Sequence, residues 1–114
     1  MLSKDDVIKQ LRKICTNYTD ILGLVILFGS FSRGEATDSS DIDLYVEPKE
    51  SNTTTMKFGN SKRFKEFKYS LYDNLPFDFD ILSYGGKRDL AAIRRSSLWG
   101  QIEKDGVLIY EQRG

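Results

Sequence analysis

Gly29-Ser30-Phe31-Ser32-Arg33-Gly34, then a polar stretch from Glu35 to Ser40, then Asp41-Ile42-Asp43-Leu44: the reading of this chain turns on these residues. Ten residues separate Ser30 from Asp41. Just upstream, Leu24-Val25-Ile26-Leu27-Phe28 is apolar without alternation, the pattern of a central strand covered on both faces. Gly29-Ser30 ends that strand, and Phe31 to Gly34 form a short helical turn closed by Gly34. A strand-to-helix turn of this kind can bind phosphate, because its N–H groups lack internal partners. Gly29 lets a backbone approach closely, and Ser30 adds a hydroxyl while also serving as an N-cap. No Gly-Lys-Ser/Thr follows, so this is not a P-loop.

Working outward, a second strand runs from Asp41 to Val46 and is stopped by Pro48. Before the first strand, Ser3 caps a helix with Asp5 and Asp6 in its first turn. Val7, Ile8, Leu11, Ile14, Cys15 and Tyr18 line one face of that helix, and Gly23 breaks the chain ahead of Leu24. Lys49 to Thr55 reads as a loop. A helix follows from about Asn60 to Asn74, with Phe64, Phe67 and Leu71 on its apolar side and Lys62, Arg63, Lys65 and Lys68 around the rest. Phe77 to Ser83 alternates as a third strand, Leu90 to Ile102 is a less regular helix, and Val107 to Tyr110 is a last short strand. The order α-β-β-α-β-α-β has no repeat or dividing linker. It predicts a single domain over residues 1–114, of α/β (α+β) class, with a small mixed sheet packed by helices.

Alternation places Asp41, Asp43 and Tyr45 on one face of the second strand, and Asp78, Asp80 and Leu82 together on the third. Should the two strands be neighbours, up to four carboxylates gather on one side of the sheet. Two of them about 4 Å apart repel by roughly 4 kcal/mol at an effective dielectric near 20. Such a group is open to water, shares a proton, or holds a divalent cation. Asp41-x-Asp43 alone also fits a solvated strand face; the Gly-Ser turn upstream and the acids downstream favour a site. Oxygen ligands from Asp suit Mg²⁺, which takes one or two carboxylates plus phosphate and water. Arg33 could reach phosphate oxygens or brace the acidic strand.

Composition narrows the chemistry. At 114 residues, with 39% hydrophobic residues, the chain suits one globular domain. Seventeen basic and seventeen acidic residues cancel, which disfavours long nucleic-acid partners while leaving room for a local basic patch. The absence of histidine removes Ser-His-Asp catalysis and His-ligated metals. One cysteine, Cys15, excludes an internal disulfide and reads as an apolar member of the first helix. No apolar run approaches the ~20 residues that span a bilayer, and Met1-Leu2-Ser3-Lys4 does not open a signal peptide, so a cytoplasmic location is expected.

The stretch from Gly29 through Gly34 to Ser40-Asp41-Ile42-Asp43-Leu44 resembles the minimal nucleotidyltransferase (MNT) family, within the DNA polymerase β-like superfamily. The element order, down to Gly106-Val107-Leu108-Ile109-Tyr110, also follows that family. Phe31 stands where a basic residue is common and Tyr45 where a smaller side chain is usual, departures that bear on the nucleotide pocket. The resemblance implies that Asp41 and Asp43 bind two Mg²⁺ ions and that Gly29, Ser30, Arg33 and Ser40 bind the nucleotide. It implies a third catalytic and metal-binding acid from the later strand, where Asp80-Ile81-Leu82 fits the family pattern better than Asp78-Phe79-Asp80. ATP would be the donor, and a hydroxyl would attack its α-phosphate with loss of pyrophosphate.

Small members of this family act as antitoxins that adenylylate a tyrosine of a HEPN-type toxin, a helical ribonuclease. The resemblance therefore implies a toxin partner, in a homo- or hetero-oligomer, with nucleic acid not the direct substrate. The Lys-rich helix and Arg94-Arg95 could contact that partner. Two other functions stand beside this one: a non-catalytic antitoxin acting by contact alone, and a transferase acting on a small molecule such as an aminoglycoside.

Overall fold

Residues 2–37, 39–50 and 52–112 are described by the computed structural model. Four strands form one mixed sheet, in the spatial order Phe79–Ser83, Ile42–Pro48, Leu22–Phe28, Val107–Glu111. The unbroken apolar run makes β1, Leu22–Phe28, an interior strand. It pairs antiparallel with β2, Ile42–Pro48, on one side and with β4, Val107–Glu111, on the other. Next to β2 and parallel to it lies β3, Phe79–Ser83, in the register Ile42↔Phe79, Asp43↔Asp80, Leu44↔Ile81.

Alternation divides the sheet into two packed faces. Val25, Leu27, Ile42, Leu44, Val46 and Ile109 point to one of them. There they meet Val7, Leu11 and Ile14 of helix α1, Lys4–Cys15. A later helix, Lys62–Asn74, adds Phe64, Phe67 and Leu71 to the same core. On the opposite face Tyr45, Leu24 and Ile26 pack against Ile93, Ile102 and Trp99 from two helices near the C-terminus, Lys87–Arg94 and Ser97–Asp105. Ser3 caps α1 in a full capping box with Asp6. Cys15 is buried in the first core, which pushes its thiol up to about 12.

Several boundaries differ from the sequence reading. Gly23 lies inside β1, where an added Cβ would stand 2.5 Å from the Pro48 carbonyl oxygen, so it marks a close approach rather than a break. Pro48 is the last residue of β2. Between the expected loop, which ends at Thr55, and the expected helix lies a short helix, α2, Thr55–Asn60, capped by the Thr54 hydroxyl. The Lys62–Asn74 helix is therefore α3. The single helix expected over Leu90 to Ile102 is two, α4 and α5, because Ser96 caps a fresh N-terminus at Ser97. In β3 the ladder begins at Phe79, leaving Phe77 and Asp78 just ahead of it. Among the described residues, no helix is long and apolar enough to cross a membrane.

Candidate active site

The Gly29 turn is built as the sequence suggested, and its closure can be traced bond by bond. Gly34 N–H donates to Phe31 C=O at 3.3 Å and Glu35 N–H to Ser30 C=O at 2.9 Å, the paired bonds of a Schellman closure. Gly34 takes φ +73° to allow it. At the other end Arg33 N–H donates to Gly29 C=O at 3.2 Å, and the buried Ser32 hydroxyl donates to the same carbonyl at 2.7 Å. Phe31 turns inward, 2% exposed, and meets Phe77 edge-to-face with centroids 4.9 Å apart. These two anchors fix the turn to the core. The amides of Ser30, Phe31 and Ser32 and the Ser30 hydroxyl make no hydrogen bond among the described residues. Donors in that state suit an anion.

Asp43 meets this turn directly. Gly29 has φ +78°, and a Cβ there would overlap Asp43 Oδ2 and stand 3.0 Å from Cγ. Only glycine lets the carboxylate lie against the turn. Phe28 pairs with Asp43 across β1 and β2, and Asp80 pairs with it across β2 and β3. In-register residues share a face, so the Asp43 and Asp80 carboxylates point the same way. Partial burial raises the Asp43 carboxyl above its ordinary range, the charges of Asp80 and Asp41 raise it further, and Arg33 opposes them. Asp41 sits exposed one residue before β2, and Asp78 sits exposed one residue before β3, its carbonyl accepting from Ile42 N–H at 2.9 Å. The structure thus groups Asp41, Asp43 and Asp80 electrostatically, while Asp78 does not figure among the charges acting on Asp43.

The other expected residues take mixed positions. Arg33 is exposed, donates to Glu35 at 3.1 Å, and lies near enough to Asp43 to lower its carboxyl. The Ser40 hydroxyl accepts from Thr37 N–H at 2.8 Å and so shapes the connector. A cleft of about 330 Å³ opens beside Asp41 and Asp78, lined also by Ser40, Tyr72, Pro76 and Phe77; Asp43 and Asp80 do not line it. Sequence reasoning did not single out Ser32 or Phe77; Ser32 acts through a local bond to the residue three before it, and Phe77 through a contact that only folding creates.

Among the described residues, no three acids converge as a ready-made metal cage. The donor chemistry nonetheless fits Mg²⁺: hard carboxylate oxygens of like charge, with a free-amide turn alongside where substrate phosphate would complete the shell.

The family model for polymerase beta nucleotidyltransferases matches residues 9–113. This chain belongs to that family. Its fold is also that of solved toxin–antitoxin structures. A toxin–antitoxin crystal structure with AMP-PNP shares 22% identity at TM-score 0.60, covering 93% of this chain and 74% of that one. A tri-AMPylated Shewanella oneidensis HEPN toxin in complex with MNT antitoxin gives 20% identity and TM-score 0.55, with 96% and 73% covered. A mutant MntA–HpeT toxin–antitoxin gives 25% identity and TM-score 0.52, with 99% and 76% covered. No curated protein matches the chain in sequence.

A second polar group on the same sheet face belongs to packing. Glu47, 8% exposed, accepts from the Tyr45 hydroxyl and from Arg94, whose guanidinium lies 4.1 Å from the Trp99 ring centroid. Burial and the Glu47 carboxylate push the Tyr45 hydroxyl well above its usual value. Tyr45 is fully buried among Tyr84 and Trp99, so its departure from the family pattern fills the core beneath α4 and α5 and not the nucleotide turn.

Proposed function

We propose that this nucleotidyltransferase moves AMP from ATP to a hydroxyl, a tyrosine on a HEPN-type toxin, and so acts as an antitoxin. The observation that carries the reading is the contact between Gly29 and the Asp43 carboxylate, with Asp80 in register behind it. That contact sets a turn with free amides against an acidic group. The AMP-PNP-bound and tri-AMPylated neighbours support a nucleotide donor and a protein acceptor.

In this reading the Ser30 hydroxyl and the free amides of the turn hold the triphosphate tail, and Arg33 reaches its outer oxygens. Asp41 and Asp43 would hold two Mg²⁺ ions, with Asp80 completing the set. When bound, the metal supplies charge neutralisation on phosphate oxygens. Asp80 orients the acceptor hydroxyl and draws on its proton. The acceptor oxygen forms a bond to the α-phosphorus, the bond to the bridging oxygen breaks, and pyrophosphate leaves while the hydroxyl proton passes to solvent. Most of the rate enhancement expected here comes from position and charge.

Neutralisation of the toxin by the Asp41→Ala/Asp43→Ala double variant tests this. A catalytic antitoxin loses protection although the variant still binds its partner. Full protection by the double variant means occlusion by contact and ends the transferase reading of the antitoxin role. Transfer to an aminoglycoside without a protein partner would point to the small-molecule reaction instead.

A further inference from the structure

The two outer edges of the sheet are finished differently. On the β4 side, the Arg12 guanidinium of α1 reaches over and donates to Leu108 C=O at 3.0 Å. Along the middle of β3 there is no such cover. Ile42 N–H donates to Asp78 C=O at 2.9 Å and Tyr84 N–H to Val46 C=O at 3.1 Å, so even-numbered residues of β3 carry the ladder to β2. Phe79, Ile81 and Ser83 therefore turn their N–H and C=O groups outward. The Tyr72 hydroxyl takes Phe79 C=O at 3.4 Å, and beyond the other end Gly85 N–H donates to the Thr55 hydroxyl at 3.1 Å. Between these bonds, the outward groups of the half-buried Ile81 and Ser83 make no hydrogen bond among the described residues. The strand also holds neither Pro nor Lys, residues that blunt an edge against pairing. Asp80 sits between the outward-turned Phe79 and Ile81, its carboxylate on the face shared with Asp43. Its own N–H and C=O serve β2. An antiparallel strand laid on the open edge would thus meet Asp80 at a non-hydrogen-bonded position, where facing Cβ atoms come within about 4.5 Å.

Resting on the adenylyl-transfer reading above, we propose that the acceptor protein docks by adding a short extended segment antiparallel to β3. The residue of that segment facing Asp80 is the one adenylylated, its hydroxyl held beside the Asp80 carboxylate on the acidic face. Ile81 and Ser83 supply the backbone hydrogen bonds, which recognise an extended chain whatever its sequence. Register supplies the choice of hydroxyl, because a slip of one residue turns the acceptor side chain to the opposite face. A helical segment would leave the edge unpaired, since its own backbone bonds are internal. In the transfer the tyrosine oxygen bonds to the α-phosphorus of ATP and the bond to the bridging oxygen breaks. Pyrophosphate leaves and the phenolic proton passes to solvent.

Amide hydrogen exchange followed by NMR on the full chain, alone and with a HEPN-type toxin in the absence of ATP, tests this. The Ile81 and Ser83 amides should exchange fast in the free chain and slow by about 10-fold or more with toxin, the effect of one formed hydrogen bond. Ser83→Pro deletes an outward N–H that the ladder does not use and sets a ring on the edge. It should raise KM for the toxin by about 10-fold or more while kcat and KM for ATP stay near wild type. Ser83→Ala keeps the N–H and should lose far less. Far-UV circular dichroism checks that both variants are folded, and the exchange measurement stands without them. Ile81 and Ser83 amides left unprotected with toxin overturn the proposal, as does an unchanged KM in Ser83→Pro or an equal loss in Ser83→Ala. Protection that appears in the chain alone and rises with its concentration gives the edge to a second copy and also overturns it. A wild type that adenylylates the toxin while these measurements fail refutes the docking mode alone; one that transfers nothing refutes the reading beneath it.

Discussion

Gly29 and Gly34 provide a controlled pair for the claim that Asp43 is placed by the turn. Both take positive φ, +78° and +73°. Alanine at either position therefore carries a backbone cost of about 1–2 kcal/mol. Their surroundings differ. An added Cβ at Gly34 meets nothing within 4 Å, whereas at Gly29 it overlaps Asp43 Oδ2. That oxygen ends a flexible side chain, so rotation of Asp43 relieves the clash at little further cost in stability. The rotation takes the carboxylate away from Asp80 and from the Gly29 turn, and a misplacement near 1 Å can cost about 100-fold in rate. Urea unfolding should show both variants folded and destabilised by similar amounts, within the roughly 5–15 kcal/mol available to a domain. Initial rates of adenylate transfer should fall about 100-fold or more for Gly29→Ala and stay within a few-fold of wild type for Gly34→Ala. Equal rates for the two variants, whether both retained or both lost, would refute the placement of Asp43 by Gly29.

Three further outcomes follow from the same geometry. The Asp43 carboxyl is raised in the folded state, so the stability it withholds is present below the unfolded carboxylate pKa of about 3.9 and is lost as pH rises through the folded value. Asp43→Asn should consequently raise the melting temperature at pH 7, with the gain vanishing near pH 4; a loss of stability at pH 7 in the melts contradicts the repulsion. ATP at about 100 times its Kd should stabilise the protein by about 2.7 kcal/mol in a thermal-shift assay. That gain should disappear with EDTA or in Asp41→Ala/Asp43→Ala, and persistence in either case would remove the metal from the account. Arg94→Ala strands the buried Glu47 carboxylate with the Tyr45 hydroxyl alone and should cost about 1–3 kcal/mol in urea unfolding, discounted for the exposure of Arg94. Adding Glu47→Gln should recover part of that loss, and no recovery would mean the ion pair is not what Arg94 supplies.

How much of this was legible in the sequence differs by residue. The apolar run of β1, the Gly29 to Gly34 turn and Asp43 on β2 depend on neighbours along the chain, and each is where its local pattern placed it, while Asp41 falls one residue ahead of the strand it was read into. Asp80 could be preferred over Asp78 only by family pattern, because register between β2 and β3 is a long-range matter; the ladder pairs Asp43 with Asp80. Helix α2 escaped notice because six residues are too few to display a 3.6-residue period, although Thr54 was a readable cap. The break at Ser96 was likewise written as a Ser N-cap inside an apolar stretch. Phe31 beside Phe77 and Glu47 beside Arg94 join segments 46 and 47 residues apart, distances over which no local pattern operates.

Intact-mass measurement of a HEPN-type toxin, the proposed partner, after incubation with this protein, ATP and Mg²⁺, addresses the proposed chemistry most directly. The account predicts a gain of one or more AMP increments on that partner, absent when Asp43→Asn replaces the wild type. An unchanged mass with toxin that is nonetheless inhibited would contradict it.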